Sequence, residues 1–359
     1  MSKRDSILIK GIAILCMFFH HLFYRETRYA EYGFTGLILN EDITLAIAKD
    51  LKVCVAVFAF IAGYGMIIKL KSAKNFENIT TIRWFVLNAV KTYLGLIKDT
   101  CFLIAIIVPV SVIFNLPKSP VAVWGSDGGT VEIIKGVLAN MTGMAGFFRI
   151  PWFIKSWWYL KVAILFILLF PLLYMVLKRC GGVFLFLTVI ITPLLLGVNL
   201  SKDNVWRYLP AFIYGMIIAD RNFIETLSGW IHEKSKRRIV VGCLLVAIYV
   251  ATVYIKHTIG FYYVTQSVQA VIIVLLAVLY ISKLKKISVA LALLGDNSKY
   301  MWLIHTYIYG QILSHWLFSM RNIWVIMFCL LAISLVASVI LKEISNIFYK
   351  RLDKSLHKW

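Results

Sequence analysis

Apolar residues gather in long runs along this chain, separated by short polar segments, and these runs rather than any strict alternation set its plan. Runs of spanning length lie at about 7–24, 44–68, 84–114, 156–177, 182–199, 205–220, 239–256, 262–282, 298–318 and 323–347. A helix needs ~20 mostly apolar residues to cross ~30 Å of hydrocarbon. The pattern therefore predicts an all-α integral membrane protein of about ten transmembrane helices. The third run is long enough that its first turns, from Arg83 to Lys91, are expected to lie along the membrane surface. A shorter piece, Ile287 to Leu294, reads as a re-entrant or interfacial helix. The longest polar stretch, about 115–155, contains Trp124 to Gly129 and Gly143 to Pro151. Its glycines and weak period point to a lid or groove wall on the outer side, so residues 1–359 are expected to form a single transmembrane domain.

Composition sharpens this reading. With 61% hydrophobic and 15% charged residues, a soluble globular domain is excluded. The net charge of +21 would point to nucleic acid in a soluble protein. Here the basic residues fall mostly between apolar runs, so membrane lipids, and not nucleic acid, are the expected partner of that charge. Lys3 and Arg4 at one end and Lys350, Arg351, Lys354 and Lys358 at the other bracket the runs. Segments on their side hold about twice the Lys and Arg of the opposite side, so both termini are expected in the cytoplasm of a multi-pass plasma (inner) membrane protein. Cys16, Cys54, Cys101, Cys180, Cys243 and Cys329 stand singly with no CxxC spacing. They read as small apolar packers, with neither disulfides nor a metal expected. The start Met-Ser-Lys-Arg-Asp-Ser is followed by no small-residue cleavage site, and the first run is expected to be retained as a spanning helix.

Ionisable residues inside apolar runs are costly and mark functional positions by default. The first run carries Lys10 near one end and His20 and His21 near the other. Eleven residues at ~100° each amount to three turns plus ~20°, so Lys10 and His21 share a helix face while His20 points ~80° away. Along the axis the two are separated by ~16 Å, about half the hydrocarbon thickness. Lys10 alone reads as an interface anchor and His21 alone as a polar residue packed between helices. With Ile14 and Met17 between them, the pair reads as a stripe that can line one apolar passage.

Further polar residues lie at depth: Lys98 and Asp99 in the third run, Lys49, Asp50 and Lys52 beside the second, and Lys161 in the fourth. Pairing with a neighbouring carboxylate is the simplest account of each lysine. Gly295-Asp296-Asn297-Ser298 before an apolar run is a helix start, and Lys299 beside it reads equally as an interfacial lysine next to an ordinary cap or as part of an anion site at the inner surface. His305 follows seven residues after Ser298. His232, His257 and His357 read as solvated, and His315 as interfacial. Trp152, Trp157, Trp158 and Tyr159 read first as an aromatic belt at the outer interface, and less readily as a sugar-stacking platform.

Taken in order, these residues resemble the acyltransferase-3 family of integral membrane O-acyltransferases that modify cell-surface glycans. Lys10-Gly11-Ile12-Ala13 leading to His21 is similar to the family's opening basic residue, Gly-Ile-Ala and histidine. Phe58 to Gly65, Trp158-Tyr159-Leu160 followed by Pro171, Tyr208 to Gly215, and Gly295 to His305 resemble its later motifs, so the resemblance runs over essentially the whole chain. Lys10 replaces the usual arginine, which keeps the charge and loses the bidentate fork. Ala62 stands for a common serine, Ala163 and Ile164 occupy positions where one subgroup has glutamates, and Arg83 and Lys91 are the remnants of an arginine-proline pattern.

The resemblance implies an acyltransferase that takes acyl-CoA, usually acetyl-CoA, from the cytoplasm as donor substrate, with no bound cofactor. It passes the acyl group to a hydroxyl of an extracytoplasmic or lipid-linked polysaccharide. Lys10, Lys299, Arg83 and Lys91 are the expected acyl-CoA-binding residues. Neutral His21 is the expected general base, or the carrier of a transient acyl-imidazole. His20, Tyr64, Asp99, Ser298 and His305 are possible support. The rival reading is a multi-span transporter or flippase of a glycan or anionic substrate, which broken helices in matching halves would favour. A family member kept only as an assembly partner is a third. Neither the acceptor sugar nor the oligomeric state is written in the sequence.

Overall fold

A computed structural model describes residues 1–73, 82–125, 129–200 and 203–356. In chain order its helices are α1 (Lys3–Phe23), α2 (Glu26–Tyr32), α3 (Glu41–Asp50), α4 (Cys54–Lys71), α5 (Ile82–Ile113), α6 (Pro120–Trp124), α7 (Gly129–Met141) and α8 (Trp158–Leu195). Then come α9 (Val205–Asp220), α10 (Phe223–His232), α11 (Ser235–Thr258), α12 (Tyr262–Leu279), α13 (Lys285–Asp296), α14 (Ser298–Tyr307), α15 (Ser314–Ser319) and α16 (Ile323–Leu356). Among the described residues there is no strand, and one isolated bridge joins Thr35 to Asn322. The chain is an all-α membrane protein.

Seven segments among the described residues are long and apolar enough to cross a membrane: Lys3–Phe23, Glu41–Lys71, Arg83–Ile113, Lys155–Leu195, Ser235–Thr258, Tyr262–Lys283 and Ile323–Arg351. The other expected runs take different forms. Lys155–Leu195 spans 41 residues, ~60 Å of helix and twice one crossing. Gly181, at φ 84° and ψ 165°, interrupts it between the runs at 156–177 and 182–199. Residues 205–220 form the 16-residue α9. The run 298–318 splits into α14, a π-helical turn at Ile308–Ile312, and α15.

Two compact units share these helices. The first comprises Met1–His20, Ile47–Leu87 and Leu165–Asp296. Ser2 caps α1 reciprocally with Asp5: the Asp5 amide donates to Ser2 Oγ at 3.1 Å, and the Ser2 amide donates to Asp5 Oδ2 at 2.9 Å. Lipid gives helices no hydrophobic reason to associate, so close backbone approach at small residues matters. A Cβ on Gly11 would strike the Leu291 carbonyl and one on Gly295 that of Ile7, which fixes the crossing of α1 and α13. Gly63 and Gly215 do the same for α4 and α9. These glycines belong to the sequence motifs, and their role is packing.

The second unit comprises His21–Ala46, Asn88–Ile164 and Asn297–Trp359. Here the segment 115–155 carries the helices α6 and α7 joined by turns, its residues 126–128 lying outside the described ones. The end of α7 folds back onto α5, where Tyr93 Oη donates to Thr142 O at 2.9 Å and Thr100 Oγ1 to Met141 O at 3.0 Å. Trp157 departs from the expected interfacial belt. It is fully buried, with Nε1 donating to Leu303 O at 2.9 Å, because an indole N–H inside a membrane protein needs an acceptor.

Candidate active site

His21 stands in the last turn of α1, and His305, fully buried, in the second half of α14. Their rings pack with centroids 5.0 Å apart at an interplanar angle of 50°. His305 Nδ1 lies 2.8 Å from Trp302 O and 3.2 Å from Met301 O. Both neighbours only accept, so Nδ1 carries the proton and Nε2 holds the lone pair. Asn297 is the N-cap of α14, and its backbone oxygen accepts from Ser338 Oγ at 3.0 Å. Beyond His305 the π-helical turn presents Tyr309, whose centroid is 6.2 Å from the His305 ring. Such turns gather at functional positions because they re-aim side chains.

Arg28 escaped the reading of the sequence. Its Nη1 donates to His21 O at 2.8 Å and Leu22 O at 2.7 Å, closing the carbonyl end of α1 with a cation. The guanidinium also lies 5.3 Å from the Tyr309 centroid and 4.7 Å from that of Phe318. The only sequence signal was an arginine just past a helix end.

At the start of α14, Lys299 Nζ lies 2.5 Å from Asp99 Oδ2 and donates to Gly95 O at 2.8 Å. Tyr300 Oη donates to Asp99 Oδ1 at 2.8 Å. Asp99 thus pairs with a lysine on another helix and not with its neighbour Lys98, which sits 4.6 Å from the Tyr349 centroid. A cleft of about 490 Å³ beside it is lined by Lys98, Tyr349 and Lys350 with Glu343, Asn346 and Asp353. Six residues of α14, ~9 Å, separate Lys299 from His305. Ser298, buried, begins that helix. The second unit therefore holds Lys299 and His305 along one short helix, with the His21 ring packed against that of His305.

In the first unit, half-buried Lys10 lies on α1 beside Gly11 and the close approach to α13. The unbroken helix preserves the eleven-residue register from Lys10 to His21. Ile14 and Met17 are buried. His20 has separate surroundings, with Nδ1 2.8 Å from Ala48 O. Tyr64 accepts from the Met1 amino group at 2.8 Å and donates to Glu225 at 3.3 Å, at the end of α1 opposite His21. Arg83 and Lys91 are exposed on α5.

The model of a family described as an acyltransferase domain matches residues 5–343, nearly the whole chain. The chain belongs to the acyltransferase-3 family. It is a multi-pass membrane acyltransferase, an acyl-transferring enzyme. No curated protein and no solved structure gives a significant match. Among the described residues no cluster of His, Cys, Asp and Glu is arranged to hold a metal ion.

Proposed function

We propose that this acyltransferase moves an acetyl group from cytoplasmic acetyl-CoA to a hydroxyl of an extracytoplasmic or lipid-linked polysaccharide, at the plasma membrane. The observation that carries the reading is the histidine pair, His21 of α1 against His305 of α14 with ring centroids 5.0 Å apart. Lys10 is the proposed cation for the coenzyme's phosphates, and Lys299 is a separate candidate. Ion pairing and one carbonyl occupy two of the three Lys299 N–H donors. Exposed Arg83 and Lys91 are further candidates. The thioester is brought to His21.

His21 takes the proton of the acceptor hydroxyl as its oxygen attacks the thioester carbonyl. The new C–O bond forms, the C–S bond breaks, and the histidinium returns that proton to the departing thiolate. His305 acts as a positioning residue. Its ring packs against that of His21 and offers an acceptor to the histidinium as it forms. Arg28 holds the end of α1 that carries His21. Ser298 begins the helix of His305, while Asp99 anchors Lys299. His20 is left to the first unit.

Purified protein supplied with labelled acetyl-CoA and surface polysaccharide from a strain lacking the gene tests the assignment. Label is expected in the polysaccharide with wild type and not with His21→Ala. Transfer by His21→Ala at the wild-type rate would remove His21 from the chemistry. Vectorial movement of glycan without label transfer would favour the carrier reading.

A further inference from the structure

The two histidines come from distant stretches of the chain, and one side chain links the elements that carry them. His21 is the third residue from the end of α1, within the last turn, whose carbonyls lack intrahelical donors. Such an end frays unless donors come from elsewhere. Arg28 supplies them: its Nη1 donates to His21 O at 2.8 Å and to Leu22 O at 2.7 Å. A plain helix cap would stop there. Here the guanidinium also packs on Tyr309, 5.3 Å from the ring centroid, and on Phe318 at 4.7 Å. Buried Tyr309 belongs to the π-helical turn just beyond His305, and its ring lies 6.2 Å from the His305 ring. The turn is closed by Leu313 N donating to Ile308 O at 2.9 Å.

The contacts thus form a closed circuit. It runs from the His21 backbone to Arg28, from Arg28 to Tyr309, from Tyr309 to His305, and from the His305 ring back to that of His21 at 5.0 Å. All four residues lie in the second unit. Every contact in such a circuit restricts one quantity, the placement of one imidazole against the other. A misplacement of ~1 Å at a reacting group can cost ~100-fold in rate. A lysine could serve the two carbonyls but not the ring as well, because its ammonium is a point charge, whereas a planar guanidinium donates along its edge and stacks by its face.

We propose that Arg28 and Tyr309 are positioning residues that together set His21 against His305 for acyl transfer. The kinetic consequence rests on the acetyl-transfer reading; the circuit itself does not. Label transfer from acetyl-CoA is measured with purified full-length wild type, Arg28→Ala, Arg28→Lys, Tyr309→Leu and the variant combining Arg28→Ala with Tyr309→Leu, each rate counted per folded molecule. Arg28→Ala should lower kcat ~10- to 100-fold, the worth of one hydrogen bond to a charged group, and leave KM for acetyl-CoA unchanged. Arg28→Lys should recover part of that loss. The combined variant should be no slower than Arg28→Ala, because both residues act on one placement. Arg25→Ala, which removes an exposed cation nearby, should match wild type. A purely structural cap gives a different result: less folded protein with kcat per folded molecule unchanged. That outcome overturns the proposal, as does a combined variant slowed by the product of the single factors. The same proteins are also melted without an acyl donor. A midpoint loss in the combined variant smaller than the sum of the single losses supports the circuit, and losses that add overturn it. These melts decide the circuit separately from the acetyl-transfer reading, which fails by itself if wild type transfers no label.

Discussion

Replacing His305 by phenylalanine probes the histidine pair without hollowing out the helix that carries it. The residue is fully buried, and a ring of similar size keeps the packing against His21 but gives up the Nδ1 donation to Trp302 O, at a cost of ~1–3 kcal/mol of stability for the carbonyl left unsatisfied. What is also removed is the polar edge of the ring beside His21, 5.0 Å between centroids, with which the histidinium can form a hydrogen bond as it takes up the proton. A hydrogen bond to a group that becomes charged in the reaction is worth ~1.5–3 kcal/mol. That amounts to ~10- to 100-fold in rate. His305→Phe should therefore lower kcat by that factor and leave KM for acetyl-CoA unchanged. Loss of the base itself in His21→Ala should cost ~10²–10⁴-fold. Because one residue acts through the other, the double variant should be no slower than His21→Ala alone. Label transfer from acetyl-CoA measures all three. Full activity in His305→Phe, or a double variant slower by the product of the two factors, would refute the coupling.

Lys10→Ala should raise KM for acetyl-CoA ~10-fold, as expected for loss of one charge-assisted contact, while Lys10→Arg stays near wild type; equal full activity of both variants contradicts the phosphate role. Gly11→Val places side-chain atoms against the Leu291 carbonyl and should lower stability by ~1–3 kcal/mol, whereas Gly65→Ala, with nothing near its Cβ position, should leave it within ~0.5 kcal/mol; thermal melts of the solubilised protein check both. Desolvation pushes the Asp203 carboxyl up, but Lys52, Tyr208 and Arg207 outweigh it and hold the group below its ordinary 3.8. A carboxyl with a lowered folded-state pKa stabilises above the unfolded value and loses that contribution as pH falls through the folded one. The difference in melting midpoint between wild type and Asp203→Asn should therefore be largest near neutrality and close below pH 3.8; a gap constant down to pH 3 refutes it.

The sequence by itself determined the helical membrane class, the family, and the register of Lys10 and His21. Each follows from local rules: apolar run length sets a span, and a period of ~3.6 residues decides which side chains of one helix share a face. Those rules stop at the surface of a helix. Neighbouring charges suggested local pairs, yet Asp99 meets Lys299, Asp50 meets Lys256 and Lys52 meets Asp203. Adjacent His20 and His21 come to stand in different units, and the partner of His21 is a residue from near the other end of the chain. Which helices meet is decided by where small residues let backbones close in, as at Gly11 with Leu291 and Gly63 with Phe212. Only the packed chain therefore placed Arg28 on the end of α1, set the two imidazoles together, and left the buried Gln269 amide without a hydrogen-bond partner.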